Sequence, residues 1–505
     1  MGFIKKHKVE LLIGLGLVIL YFFLRIYNIL HLPLFTDEAI YIRWAQIAKG
    51  DANWRFISLV DGKQPMFVWV AILFLKFIKD PLLAGRLVSV FSGLFTMVGL
   101  FFVGRELFKN TWIGLLSAFL YVISPFALVY DRMALYESMV SLWTIWGLYF
   151  AILLVKKVRL DIALILGMII GGGALTKGSA FFTGGLLPVS ILLFHFKQKK
   201  WKEEFFKWVV FALVAVGMAV IYYSVLRLSP FYHIISEKTA IFVYPFNQWI
   251  RHPFTYFQSN IFGLWDWLHI YMTWPWIALV VCAFFINKKF LKEKIMLFLW
   301  FGIPFIYLAF FGNTLYPRYI LFMTMALLPL IAYALFQLFT IVKNKYLWVV
   351  IFLISIALVL FADYKILTDF GRAPIPFSDL GQYYNDWPAG VGMKEATDFF
   401  VHQAQSKKIF IATEGTFGLM PYGFEMYLVQ NPNVTIKGYW PIENLMPKEL
   451  LERAKKMPTY VVFYQPCPNC NRPGEAPITW PLTLVKRYMR ETRADRYLSI
   501  YEVRP

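Results

Sequence analysis

The sequence predicts an α-helical, polytopic membrane protein of about eleven transmembrane helices with a C-terminal soluble α/β domain. Three observations carry this expectation. Of the 505 residues, 59% are hydrophobic and 16% charged, against about half and a quarter in soluble domains. Apolar runs of spanning length recur through the first 363 residues. The composition then changes, with Pro, Gly, Asp and Asn becoming frequent over 369–392.

A bilayer core needs about 17–25 consecutive apolar residues per helix. Such runs fall near 9–29, 84–104, 112–130, 138–155, 161–176, 180–196, 208–226, 270–287, 294–311, 319–341 and 346–363. The run after Lys8 is too long for a signal peptide and has no small-residue cleavage site, so it reads as a retained first helix. Aromatics reach 19%, including 18 Trp and 29 Tyr, the residues that anchor at membrane interfaces.

The net charge of +20 would point to nucleic acid in a soluble protein. Here its location decides otherwise. Every second gap between runs is basic: Lys5, Lys6 and Lys8; Arg105 and Lys109; Lys156, Lys157 and Arg159; Lys197, Lys199, Lys200, Lys202 and Lys207; Lys288, Lys289, Lys292 and Lys294; Lys343 and Lys345. The alternate short gaps hold little beyond Arg132, Lys177 and Arg318. Positive loops stay in the cytoplasm. A plasma-membrane protein with a cytoplasmic N-terminus and an extracytoplasmic C-terminus is expected, with membrane lipids and not nucleic acid as its surroundings.

This topology divides the chain into a membrane domain, 1–363, with outside loops 30–83, 131–137 and 227–269, and an extracytoplasmic domain, 364–505. Loop 30–83 holds two helix-like stretches, 37–49 and 65–78, the second too short to span and read as interfacial. In the tail, helical stretches at 393–405 and 418–430 alternate with strand-like runs at 408–413, 459–465 and 497–503, a pattern that suggests a small α/β domain.

Ionisable groups beside lipid are costly, so those on the outside face are the candidates for chemistry. The first loop reads Leu34-Phe35-Thr36-Asp37-Glu38-Ala39-Ile40-Tyr41. Thr36 can cap a helix whose first turn carries Asp37 and Glu38, two acids favoured there by the helix dipole. The same carboxylates, held at the membrane surface, could instead supply a general base. Lys63, in Gly62-Lys63-Gln64-Pro65, is either a snorkelling anchor or a point charge for a phosphate. Arg132 and Glu137 lie between the third and fourth runs, and Glu137 alone would pass as a helix-start acid. Lys177, in Leu175-Thr176-Lys177-Gly178, and Arg318, in Tyr316-Pro317-Arg318-Tyr319, end helices on the outside, where anchoring is the plainer role for each alone. Two separated acidic sites among several cations suit transfer from an anionic lipid donor.

The order of these pieces resembles the GT-C membrane glycosyltransferases. Within that class it is similar to the protein O-mannosyltransferase and aminoarabinose-transferase superfamily, including its RgtA/B/C/D-like group. Those enzymes carry an Asp-Glu pair in the first outside loop, a following Lys-Pro-Pro-like site, a second acid in the next outside loop and often a Thr-Lys-Gly stretch after the fifth helix. The matches are Asp37-Glu38, Lys63-Gln64-Pro65, Arg132 with Glu137, and Thr176-Lys177-Gly178, within about residues 10–340.

The resemblance implies a polyprenyl-phosphate-linked sugar as donor and no further cofactor. It implies catalysis by Asp37 with Glu38 and Glu137. It also implies phosphate contacts from Lys63, Arg132, Lys177 and Arg318, with Tyr41 beside them, and transfer to a glycan, lipid or protein acceptor. Ile40 stands where the aminoarabinose transferases have Arg, and Glu137 where Asp is usual, so the phosphate and acid sites depart from that pattern. The inserted repeats of eukaryotic protein mannosyltransferases and the Trp-Trp-Asp-Tyr-Gly motif of oligosaccharyltransferases are not in the sequence.

No metal site is expected. Cys467-Pro468-Asn469-Cys470 has zinc-like spacing, but a structural zinc wants about four ligands. A local disulfide or free thiols fit an oxidising compartment. Gly171-Gly172-Gly173 lies in an apolar run and suits close helix packing. Two other functions compete with the glycosyltransferase. One is a transporter or flippase for an anionic or lipid-linked substrate, disfavoured by spans that read as nearly uncharged. The other is a non-catalytic lipid-binding or assembly protein.

Overall fold

The structure is a computed structural model and describes residues 7–464, 474–489 and 495–504. The chain divides into two units. One is built from Met1–Tyr27, Asn53–Val70 and Arg86–Pro376, the other from Asn28–Ala52, Ala71–Gly85 and Phe377–Pro505.

The first unit is helical. Among the described residues, eight helices are long and apolar enough to cross a membrane: Lys8–Ile26, Pro81–Phe108, Tyr136–Lys157, Trp201–Leu228, Phe257–Phe285, Leu291–Phe311, Pro317–Ile341 and Lys345–Thr368. The run expected at 112–130 is a pair, Thr111–Val122 and Pro125–Asp131, bent by 61°. Ser124 caps its second half and Pro125 opens it, which accounts for the break. The runs expected at 161–176 and 180–196 fall on shorter helices, Leu160–Ala174 and Gly178–Leu193. All eleven apolar runs therefore lie on helix, but only eight have spanning length as single helices. Residues 257–269, expected in an outside loop, are helical and extend the helix that ends at Phe285.

The spans are not as free of charge as the sequence suggested. Arg25 and Asp131 are fully buried and lie 3.2 Å apart. Tyr121 and Ser138 donate to Asp131 at 3.1 and 2.8 Å, and Arg25 Nη2 donates to the Tyr121 carbonyl at 3.1 Å. Asp363, 4% exposed, adds a second carboxylate near Arg25. Buried charges persist when paired and hydrogen-bonded, and here tyrosines and carbonyls close the pair off. The glycine run at 171–173 packs as expected. A Cβ at Gly172 would come within 2.8 Å of the Trp143 ring, and one at Gly171 within 2.9 Å of Tyr222 Cβ.

The second unit is α/β. Its five-stranded sheet has the order β4-β3-β5-β7-β6, formed by β3 (Ile409–Glu414), β4 (Val434–Tyr439), β5 (Thr459–Phe463), β6 (Leu482–Met489) and β7 (Tyr497–Val503). The β4, β3 and β5 strands are parallel, and β7 and β6 close the sheet antiparallel. Helices Leu419–Leu428 and Lys448–Ala454 make the parallel crossovers, as such connections require. Every residue of β3 and β5 is buried, and Phe410, Val461, Phe463, Leu450, Trp480 and Tyr501 share one core. The strands expected at 408–413, 459–465 and 497–503 and the helices at 393–405 and 418–430 all have counterparts. Cys467 and Cys470 lie outside the described residues.

This unit also takes in the first-loop helix, Thr36–Gly50. A two-residue antiparallel ladder joins β1 (Leu34–Phe35) to β2 (Ala389–Gly390), pairing Leu34 with Gly390 and Phe35 with Ala389. Further along the helix, Arg43 Nε donates to Glu425 at 2.7 Å and Gln46 Nε2 to the Met426 carbonyl at 2.8 Å.

Candidate functional site

Besides Arg132, the candidates fall into three groups, one in the second unit and two in the first.

In the second unit the Thr36–Gly50 helix presents Asp37, Glu38 and Tyr41. Thr36 was expected to cap this helix. It is instead the first helical residue, and its hydroxyl donates to the Pro388 carbonyl at 2.9 Å. Glu38 does the capping: its Oε2 accepts the Phe35 backbone N–H at 3.0 Å, and it is fully buried. An acid three residues past the N-cap reaches back in this way to satisfy an otherwise unpartnered donor. Asp37, one position earlier and about 100° round the helix, is partly exposed. Tyr41 is 3% exposed, with its ring 5.9 Å from that of Trp44. The turn after β3 flanks the helix start, since a Cβ at Gly418 would lie 3.3 Å from Thr36 Cγ2. The neighbouring Phe417 ring lies 6.2 Å from Trp44 and 5.5 Å from Tyr422.

In the first unit Glu137 opens the Tyr136–Lys157 helix and is 5% exposed. Lys177 Nζ donates to its Oε1 at 2.5 Å, and Arg318 Nε lies 3.9 Å from the same oxygen. These residues come from three separate segments, which meet because Tyr136–Lys157 and Leu160–Ala174 run antiparallel and bring their ends together. Aromatic faces support the cations. Lys177 Nζ is 4.5 Å from the Tyr319 ring centre, and the Arg318 guanidinium is 5.0 Å from that of Tyr316. Trp143 Nε1 donates to Thr176 at 3.0 Å, fixing the turn before Lys177.

Lys63 belongs to a second cluster. Its Nζ lies 3.4 Å from Asp61 Oδ2, while Lys238 Nζ donates to Asp61 Oδ1 at 2.6 Å. The two clusters sit on adjoining segments: the Met66 N–H donates to the Leu175 carbonyl at 3.0 Å. Phe56, Leu59, Leu175, Leu226 and Ile235 form one apolar core beneath them. In each cluster two cations share a carboxylate, an arrangement suited to an anion.

Arg132 reaches the end of the first helix. It is 4% exposed, and its Nη1 donates to the Leu24 and Tyr27 carbonyls at 3.0 and 2.7 Å. Those carbonyls end the Lys8–Ile26 helix, where a cation is favoured. Sequence reasoning did not find Asp61 or Lys238. Asp61 stands two residues before Lys63, a local hint, but Lys238 has no motif around it. No group of three or more His, Cys, Asp or Glu side chains suited to a metal occurs among the described residues.

Residues 62–225 match the family described as dolichyl-phosphate-mannose-protein mannosyltransferase. That stretch contains Lys63, Arg132, Glu137 and Lys177. An undecaprenyl phosphate-alpha-4-amino-4-deoxy-L-arabinose arabinosyl transferase of Pectobacterium carotovorum is 26% identical over 236 residues, covering 44% of this chain and 40% of that protein. Its Pectobacterium atrosepticum counterpart matches to the same extent, so the aligned part spans 40% of the length of these relatives. Among solved structures, ArnT from Cupriavidus metallidurans bound to undecaprenyl phosphate superposes with a TM-score of 0.60 at 15% identity, covering 99% of both chains. The Archaeoglobus fulgidus oligosaccharyltransferase gives 0.52 at 15% identity, covering 92% of this chain and 70% of the other. The fold is that of the GT-C membrane glycosyltransferases, and the chain is a multi-pass membrane protein by the length and apolar composition of its helices.

Proposed function

We propose that this chain is a membrane glycosyltransferase that moves a sugar from a polyprenyl-phosphate donor to an acceptor on the extracytoplasmic face, with inversion at the sugar. The observation that carries the reading is the pair of cationic clusters, Glu137–Lys177–Arg318 and Asp61–Lys63–Lys238, set on adjoining segments by the Met66–Leu175 hydrogen bond. A polyprenyl-phosphate sugar carries a phosphodiester, and its charge grows as the glycosidic bond to phosphate breaks. Cations already in place stabilise that change without reorganising. Support also comes from the arabinosyl transferases that the chain matches and from the bound undecaprenyl phosphate of the similarly folded ArnT.

The roles then divide by environment. Asp37, partly exposed, takes the acceptor proton. Glu38, buried and capping its own helix, holds that helix start in place. Lys63, Lys177 and Arg318 hold the phosphate, and Arg132 ties the first helix to the 131–137 turn. Glu137 sets the positions of Lys177 and Arg318. The phosphate is a good leaving group, so a single base with phosphate-holding cations suffices. Membranes containing the protein, supplied with radiolabelled polyprenyl-phosphate pentoses and hexoses, should give a labelled product that control membranes lack. Label that stays on the carrier lipid with every donor would reject the reading.

A further inference from the structure

Asp131 is a fully buried carboxylate at the end of the Pro125–Asp131 helix, and its two oxygens serve different neighbours. Oδ2 meets the first helix, where Arg25 Nε lies 3.2 Å away. Oδ1 accepts from the Tyr121 hydroxyl at 3.1 Å and from the Ser138 hydroxyl at 2.8 Å. Ser138 follows Glu137 in the Tyr136–Lys157 helix, whose N-cap residue, Leu135, makes no side-chain cap. An acid beside a helix start complements the dipole there, and Asp131 supplies it from the preceding helix. The fit is close. A Cβ at Gly93 would collide with Asp131 Oδ2, so the Pro81–Phe108 helix needs glycine at that place. Ser89 of the same helix donates to the Leu135 carbonyl at 3.1 Å and fixes the start of the Glu137 helix at a second point.

We propose that Asp131 is a positioning residue for donor binding, acting through Ser138 on Glu137 and so on the phosphate-holding cations. This rests on the assignment of Lys177 and Arg318 to the donor phosphate made above. Glu137 opens its helix one residue before Ser138, and its Oε1 accepts from Lys177 at 2.5 Å with Arg318 at 3.9 Å. The order of contacts is therefore Arg25, Asp131, Ser138, Glu137 and then the two cations. Arg25 holds Asp131 in place and is itself held by the Tyr121 and Val122 carbonyls. A hydroxyl bonded to a carboxylate is a stronger tie than one bonded to a neutral acceptor. Without it the first turn of the Glu137 helix can shift, and Lys177 and Arg318 lose their reference point. A displacement of about an ångström is enough to weaken contacts that depend on alignment.

The distinguishing experiment measures the affinity of the full-length protein, in lipid nanodiscs, for undecaprenyl phosphate. Ser138→Ala breaks the tie and leaves the Arg25–Asp131 pair intact. It is expected to weaken binding roughly fivefold, within the range over which residues acting through others modulate a site. Tyr121→Phe removes a hydrogen bond from the same Asp131 oxygen but leaves Ser138 its acceptor. It is expected to lower the melting temperature and to bind like the parent. In a Glu137→Gln background, Ser138→Ala is expected to have no further effect on affinity, because the tie acts through the Glu137 carboxylate. Parental binding by Ser138→Ala overturns the proposal. So does equal weakening by Tyr121→Phe, or an undiminished Ser138→Ala effect in the Glu137→Gln background, since a purely structural role gives both. Should Ser138→Ala not fold, Ser138→Cys, whose thiol is a weak donor, replaces it with the same expected outcomes. The double variant Lys177→Met with Glu137→Gln separates the two levels. Weak binding by it with parental binding by Ser138→Ala sinks only the role of Asp131. Parental binding by it sinks the assignment of Lys177 to the phosphate, and the role of Asp131 with it.

Discussion

Lys177 donates a 2.5 Å hydrogen bond to Glu137, a nearly buried carboxylate that opens a different helix. This pairing changes the reading of both residues. Alone, Glu137 is a helix-start acid and Lys177 an interfacial anchor. Together, with Arg318 at 3.9 Å, they form a fixed charge constellation.

Removing one member of such a pair costs more than removing both, because the survivor is left charged and desolvated. Lys177→Met is expected to destabilise the protein by about 3 kcal/mol. Adding Glu137→Gln should recover much of that loss. Thermal unfolding in detergent measures both, and equal melting temperatures for the single and double variants would contradict the pairing.

Arg43 and Glu425 join the helix that carries Asp37 to helix Leu419–Leu428 of the same unit. Loosening this tie should misplace Asp37 without touching the donor. Arg43→Ala is expected to lower turnover roughly tenfold while donor binding holds, since small displacements of a catalytic group are costly. The exchange Arg43→Glu with Glu425→Arg should restore part of the rate. An unaltered rate in Arg43→Ala would detach the tail from catalysis.

The sheet edge offers a pH test. Lys437 donates to Glu449, and Tyr439 and Arg453 add hydrogen bonds, holding the Glu449 carboxyl at about 2 against an ordinary 4.5. Because the folded value is the lower one, this group adds stability above pH 4.5 and loses it as pH falls from there towards 2. Hydrogen exchange in 434–439 should therefore quicken over that window in the parent. Glu449→Gln should flatten the dependence, and an undiminished slope in that variant would assign it to other groups.

The spans were legible because lipid imposes a length and composition that few other environments share. The α/β character of the tail was legible because β3 and β5 are continuous apolar runs. Strands β4 and β6 were missed, and each is largely exposed or half-exposed, so neither carries an apolar signature. The union of the first-loop helix with the tail depends on a two-residue ladder and on Arg43–Glu425, 382 residues apart, which leave no local pattern. The sequence points to Thr36 as the cap because hydroxyls favour that position; the actual acceptor of its hydroxyl, Pro388, lies 352 residues away. At the site, the resemblance pointed to Lys63, Glu137 and Lys177. Only folding could add Asp61 and Lys238, since their ion pair closes across 177 residues. The Arg25–Asp131 pair went unseen because each residue alone looks like an end-of-run charge.

Asp37 bears the central claim. An acceptor hydroxyl is a poor nucleophile at neutral pH, and a carboxylate that takes its proton during attack lowers the barrier. Asp37→Asn keeps the side-chain shape and removes the base. The decisive measurement is the turnover of Asp37→Asn with a labelled polyprenyl-phosphate sugar, in protein whose folding and undecaprenyl phosphate affinity match the parent. A fall of at least about 100-fold is expected if the base contributes its usual share. Parental turnover would contradict the assignment and move the proton acceptor to Glu38 or Glu137.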